Sequence, residues 1–325
     1  MKRALIIGIA GQDGSFLAEL LLARGYEVHG TCRPGLAPGD PRLWRVSDCL
    51  ESLHLHPVDL EDGRRLRDLV AQVDPQECYH LAGTRKPEAT EAEACANLEG
   101  ALTTTHALLQ GLARGSGGRF LFAASSEMYG PEAPPPQDEG TRLDPRTSYA
   151  IAKAAGFHLV RQHREQRGLR GCSAILFNHE SARRGEGFVT RRIAEAAARI
   201  RLGQARELRL GDLSASRDWG HARSFVEGMW RMLQVEAPED LVLATGTTHT
   251  VRDFAEAAFR HVGLDLDRHL VVDPALVRPA GWPLRGDPSR AGQVIDWRDE
   301  VPFEALVAEM VDAELQRAQA GVGPS

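Results

Sequence analysis

The sequence predicts an α/β fold, a doubly wound parallel sheet followed by a smaller C-terminal lobe. Three observations predict it. Short apolar runs alternate with longer segments of helical period, which is the pattern of a parallel sheet covered on both faces. Three glycines stand where the first strand gives way to the first helix. After Asn178 the elements shorten, and proline, arginine and glycine become frequent between them. The 325 residues are enough for one large domain or two smaller ones with a substantial core.

Met1–Gly8 (MKRALIIG) is a basic lead into a β-branched run, hence a strand; Phe16–Leu22 then opens a helical pattern. Glu27–Thr31 reads as the second strand and Ser52–Val58 as the third. Helical periodicity follows at Gly63–Gln72, a strand at Glu77–Leu81, and a helix at Glu99–Arg114. Arg119–Ala123 and Cys172–Phe177 are further strands, separated by a helix at Tyr149–Arg167. The expected division is a dinucleotide-binding domain over residues 1–177, with a segment near 214–246 returning to it, and a substrate-binding lobe over most of 178–325.

Composition narrows the function classes. The chain carries 39 Lys and Arg against 45 Asp and Glu, a net charge of −6. No basic stripe suggests nucleic acid, and no apolar run is long enough for a bilayer. The N-terminus runs directly into a strand, so a cytoplasmic location is expected. Cys32, Cys49, Cys78, Cys95 and Cys172 are scattered without CxxC or Cys/His ligand spacing, so reduced structural thiols are expected, with no metal and no disulfide framework.

Gly8, Gly11 and Gly14 fall at GxxGxxG spacing in the strand–turn–helix context of a Rossmann-like dinucleotide site, where backbone approaches a pyrophosphate and the helix N-terminus faces it. Arg33 follows the second strand where an acidic residue would grip the ribose of NAD. A planar guanidinium there suits the extra phosphate of NADP, so NADP is favoured over NAD. Asp59 and Leu60, past the third strand, are placed at the adenine pocket. The run SSEMYG (Ser125–Gly130) and YAIAK (Tyr149–Lys153) supply an acid, a phenol and an amine. A tyrosine with a reference pKa of about 10 becomes a usable base near neutrality when an ammonium stands one helical turn away. Ser125, Glu127 and Asn178 fall at the carboxyl ends of strands, where sites of such sheets lie.

GIAGQDGS (Gly8–Ser15), SSEMYG, YAIAK, ILFNHESARRGEGFVTRRI (Ile175–Ile193), RDWGHA (Arg217–Ala222) and GDPSRA (Gly286–Ala291) resemble the GDP-mannose 4,6-dehydratases, members of the extended short-chain dehydrogenase/reductases. The resemblance covers nearly the whole chain, and FNHES and RDWGHA are more specific than the glycines. It implies an NADP-dependent lyase that moves a hydride internally from C4 to C6 of a GDP-sugar, GDP-mannose or an analogue such as a GDP-heptose. Ser125 stands where the family has a threonine on the sugar O4, Glu127 is the acid/base, and Tyr149 with Lys153 is the redox pair. Expected cofactor contacts are Gly8, Gly11, Gln12, Asp13, Gly14, Arg33, Asp59, Leu60, Leu81, Ala82, Tyr149, Lys153 and His179. Expected substrate contacts are Ser126, Asn178, Val189, Arg192, Arg217 and Arg278, with the arginines on the diphosphate. Met128, Tyr129, Trp219 and His221 are expected to pack.

Three departures cluster around the sugar. Thr84, Arg85 and Lys86 replace a Gln, Ser, His run; Gly281 replaces a ribose-holding glutamate; and RPGLAPGDPRLW (Arg33–Trp44) replaces the Ser/Arg-rich loop that reaches a neighbouring subunit. The last leaves the family's tetramer open, while a homodimer through the helices at Glu99–Arg114 and Tyr149–Arg167 is expected. The alternatives are another enzyme of the superfamily (a UDP-glucuronate decarboxylase, a 4-epimerase or a 4-keto reductase) or a non-catalytic NADP-binding protein.

Overall fold

The computed structural model describes residues 1–36, 39–83, 90–277 and 282–321. The readings made at Thr84, Arg85, Lys86, Arg278 and Gly281 therefore lie outside the described residues.

The strands are β1 (Arg3–Ile7), β2 (Glu27–Cys32), β3 (Leu53–Pro57), β4 (Glu77–His80), β5 (Arg119–Ala123), β6 (Gly171–Leu176), β7 (Asn178–Glu180), β8 (Leu208–Leu210), β9 (Ser216–Arg217), β10 (Trp219–His221), β11 (Leu241–Leu243), β12 (His249–Thr250) and β13 (Leu270–Val272). The α-helices are α1 (Gln12–Ala23), α2 (Gly63–Val73), α3 (Glu91–Arg114), α4 (Ser148–Arg167), α5 (Val189–Arg201), α6 (Ala222–Met232), α7 (Val251–His261), α8 (Ser289–Ile295) and α9 (Phe303–Gln319).

Seven strands form one parallel sheet in the order β11-β6-β5-β4-β1-β2-β3. The chain winds outward from β1 in one direction and from β4 in the other, so the crevice of a doubly wound sheet lies beyond the carboxyl ends of these two strands. The period of two sorts side chains between the layers. Ala4 and Ile6 of β1 enter the core shared with α1 and α6, while Leu5 and Ile7 enter the core shared with α2, α3 and α4. A third core, built by α5, α7, α9 and β8, stands apart from both and centres on Phe254, Phe259 and Val311. Beside it, β9 pairs with β12, β7 with β10 and β8 with β13.

Two segments differ from the sequence reading. The third helix begins at Glu91 rather than Glu99, because Thr90 caps it by accepting from the Glu93 amide at 3.2 Å. From the last residues of the segment read as a replaced loop, a 3-10 helix runs on over Pro41–Ser52. Asp40 caps it, Pro41 starts it, and Leu43 and Val46 are buried against the core around α1. Arg45 ties this helix to the later chain by donating to the Arg183 carbonyl at 2.8 Å.

Candidate active site

The turn after β1 is made by backbone. Gly8 has φ +92°, the left-handed region, and a Cβ on Gly14 would stand 2.3 Å from the Gly8 carbonyl oxygen. Here the chain passes so closely over the first turn of α1 that no side chain fits. The helix then starts at Gly11 with no side-chain cap, leaving its N-terminal end for an anion. Gln12 and Asp13 link that end to β7. Gln12 Nε2 donates to the His179 carbonyl at 3.1 Å, its Oε1 accepts from Ser181 at 2.8 Å, and Asp13 Oδ2 lies 3.0 Å from His179 Nε2.

His179 is buried, with Nδ1 on the Phe177 carbonyl at 2.7 Å and its ring stacked on Phe225. Burial works to lower its pKa, but the charge and hydrogen bond of Asp13 outweigh burial and hold it above the ordinary value. Burial likewise works to raise Asp13, and His179 reverses this and holds the carboxyl below its usual range.

Across the crevice, β5 ends at Ala123 and the chain turns through Ser125. The Ser125 hydroxyl accepts from the Glu127 amide at 3.2 Å and caps the short helix Ser126–Met128. Ser125 and Ser126 are buried, and α4 packs on this turn. Lys153, on α4, donates from Nζ to the Ala123 carbonyl at 2.6 Å, 5.7 Å from the centre of the Tyr149 ring. The Lys153 side chain is 7 % exposed, and burial pulls its pKa down to about 8. One helix face thus carries the phenol and the ammonium to the end of β5, as the spacing of YAIAK implied.

Two residues that sequence reasoning missed complete this end. His80 closes β4; it is buried, its Nδ1 has no hydrogen-bond partner among the described residues, and burial together with the Lys153 charge lowers its pKa to about 3. A Cβ on Gly83 would lie 3.1 Å from Lys153 Nζ. His80, Ala82, Gly83, Phe122, Tyr149 and Lys153 line one small cavity of about 40 Å³. An uncapped helix end, an orphaned buried ring nitrogen and a glycine cradle beside a buried ammonium together fit a polar, anionic dinucleotide.

The remaining expected cofactor positions rim the same crevice. Arg33 is exposed just after β2; Asp59 is exposed after β3, where it accepts from the Glu61 amide, and Leu60 packs inward from there. Leu81 donates its amide to the Ile7 carbonyl at 3.1 Å, and Ala82 is the neighbour that a Cβ on Gly8 would meet at 3.2 Å.

The expected nucleotide residues stand on the third core. Val189 begins α5, which like α1 has no side-chain cap; Arg192, one turn on, is exposed and donates to the Arg209 carbonyl at 3.1 Å. Asn178 and Arg217 flank them on β7 and β9. Arg217 Nη1 donates to the Ser216 carbonyl at 2.7 Å. Asp218, next to Arg217 in the chain, is buried. Its carboxylate accepts from Thr245 N and Oγ1, Gly246 N and Gly286 N at 2.7–3.2 Å. Burial raises its pKa. Trp219 and His221 pack as expected: Trp219 stands edge-on to Phe254, and His221 caps α6 and bonds Glu309 at 2.8 Å. Met128 and Tyr129 are fully buried.

The sequence profile of a family described as GDP-mannose 4,6 dehydratase matches residues 5–310. The chain is similar to GDP-mannose 4,6 dehydratase 1 of Arabidopsis thaliana, 42% identical over 98% of this chain and 91% of that one. It is also similar to the GDP-mannose 4,6-dehydratase of Yersinia enterocolitica, 38% identical over 98% and 95%. Among solved structures, RMD from Pseudomonas aeruginosa complexed with NADPH superposes with a TM-score of 0.80 at 26% identity, covering 98% of this chain and all of that one.

Proposed function

Because the chain belongs to the GDP-mannose 4,6-dehydratase family, we infer that it is an NADP-dependent enzyme that removes water from GDP-mannose to give the 4-keto-6-deoxy sugar. The match over nearly the whole chain carries this reading, and the meeting of Lys153 with the end of β5 supports it. When bound, NADP would supply a hydride store, so that the hydride lost from C4 is the one regained at C6 and no cofactor is consumed.

The chain's residues do the rest. Gly8, Gly11 and Gly14 admit the diphosphate, and Arg33 takes the extra phosphate. Ser125 Oγ holds the sugar O4 while Tyr149 Oη takes the O4 proton, aided by the Lys153 ammonium. Oxidation at C4 acidifies C5, and the Glu127 carboxylate removes the C5 proton and delivers it to the departing O6 as water. A solvent-exchangeable proton then reaches C5, and the phenol returns its proton to solvent, so the turnover is neutral in protons and electrons. Asn178, Val189, Arg192 and Arg217 hold the GDP portion, which positions the sugar for reaction. Residues 1–177 with a returning segment near 214–246 form the cofactor-binding part, and most of 178–325 forms the substrate lobe.

The outer face of α3 and α4 supports a homodimer. Leu102, His106, Ala155, His158 and Leu159 line an open groove of about 730 Å³, and Ile151 is 44% exposed beside it. A second copy presenting the same two helices would cover these residues. Among the described residues no helix is long and apolar enough to cross a membrane, and we place the enzyme in the cytoplasm.

The test is incubation with GDP-mannose and NADP in deuterated water, followed by mass spectrometry. Loss of one water with one deuterium gained at C5 is expected; recovery of unchanged GDP-mannose from cofactor-loaded protein would overturn the assignment.

A further inference from the structure

On the edge of the sheet, four side chains unused by the reaction gather on one face. In the parallel pairing of β2 with β3, His29 lies opposite His54 and Thr31 opposite His56. Alternate residues of a strand share a face, so Glu27, His29, His54 and His56 project together. His29 Nε2 is 3.1 Å from Glu27 Oε1, and His54 Nε2 is 3.9 Å from the same oxygen. The donor atoms of Glu27, His29 and His54 all lie within 4.8 Å of one another. The His29 ring stacks on His54 at 4.7 Å and on His56 at 5.2 Å between centroids.

We propose that Glu27, His29 and His54 bind a single divalent transition ion of the zinc type, away from the reaction site. Bonds of about 2.0–2.2 Å at a tetrahedral ion place neighbouring donors about 3.3 Å apart, so the spacing needs only a small closure by His54. Two imidazoles and a carboxylate without sulfur suit Zn²⁺, Ni²⁺ or Cu²⁺ rather than Mg²⁺ or Ca²⁺. His56 supplies the outer support that such sites use. Its Nε2 is 3.0 Å from His29 Nδ1, and in the ion-bound tautomer it accepts the Nδ1–H, which leaves the His29 Nε2 lone pair for the ion. The ion takes the place of the proton that His29 and Glu27 otherwise share, and that proton leaves to solvent. His54 is 58% exposed and Glu27 36%, so the ion enters from water and keeps a water in its fourth position. Arg33, the expected cofactor contact, is four residues beyond His29, about 13 Å along the strand. The ion would bridge the terminal strand β3 to β2. Close spacing in sequence does not reveal this set, because its members come from two strands.

Untagged protein stripped with a chelator, titrated calorimetrically with ZnCl₂, tests the site. One saturable equivalent is expected, with His54→Gln and Glu27→Gln each weakening it tenfold or more and His261→Gln on α7 leaving it unchanged. Because His54 is exposed, His54→Gln retains the fold, which the melting temperature checks. Its dehydratase turnover without metal is expected to equal the wild type. Absence of one-equivalent binding, wild-type affinity in His54→Gln, or lost turnover in that variant would each overturn the proposal.

Discussion

Lys153 and Arg192 are both cations of the candidate site, and the chain holds them in opposite ways. Lys153 is buried between α4 and the end of β5, its ammonium fixed on the Ala123 carbonyl, and burial has pulled its pKa down to about 8. Arg192 is exposed on the first turn of α5 and reaches a carbonyl of β8. The difference matches the tasks proposed for them. A group that tunes a proton transfer must be fixed before substrate arrives, and its burial costs stability. A group that grips a diphosphate keeps its charge in water until the ligand replaces that water.

The largest expected effect falls on the fixed end. Glu127→Gln lowers turnover by roughly 10²–10⁴-fold while NADP binding persists; normal product formation by this variant would remove Glu127 from the proton transfer. Lys153→Met sharpens the contrast because it separates stability from function. Turnover falls, yet the cofactor-free protein gains roughly 1–3 kcal/mol at pH 7, since a depressed ammonium pKa is a folding cost. The sign is set by linkage. Between about pH 8 and the ordinary lysine range near 10.5 the unfolded chain binds more protons, so Lys153 makes stability rise with pH there. Denaturant titrations of both proteins should therefore converge as pH climbs through that window. Divergence would mean that Lys153 is not buried as a cation.

Arg192→Ala tests the other end, with an expected rise in KM of about tenfold for GDP-mannose and kcat nearly unchanged. A fall in kcat with constant KM would place Arg192 with the reacting groups instead. The smallest effect is at Asp13→Asn, which removes the pairing with His179. The His179 share of stability is present below about pH 6.5 and fades as pH rises through its raised pKa; the Asp13 share is present above about pH 3.8 and fades in acid. The loss, about 1 kcal/mol, should be widest between those limits in urea titrations at stepped pH.

The parallel strands, the glycine turn and the Tyr149–Lys153 pair were legible because each is local: a short apolar run, a spacing of three, a spacing of four. The early start of α3 hid in a polar stretch where Thr90 was not weighed as a cap. His80 reads as part of an ordinary strand and Gly83 as a residue of the segment after it, and their importance comes from Lys153, far away in the chain. The role of Asp218 is hidden for the same reason. Its neighbour in sequence is Arg217, but its hydrogen bonds run to Thr245, Gly246 and Gly286, which adjacency cannot reveal.

That buried carboxylate has a use beyond holding loops. Asp218 lies between β9 and β10 beside the third core, while Thr245 and Gly246 follow directly on β11 of the large sheet. The amides of Thr245, Gly246 and Gly286 can exchange with solvent deuterium only when this clasp opens. Their exchange rates therefore gauge how often the proposed nucleotide end parts from the proposed redox end, and a slowing of those three amides on adding GDP would register the two ends closing together, without any probe attached to the enzyme.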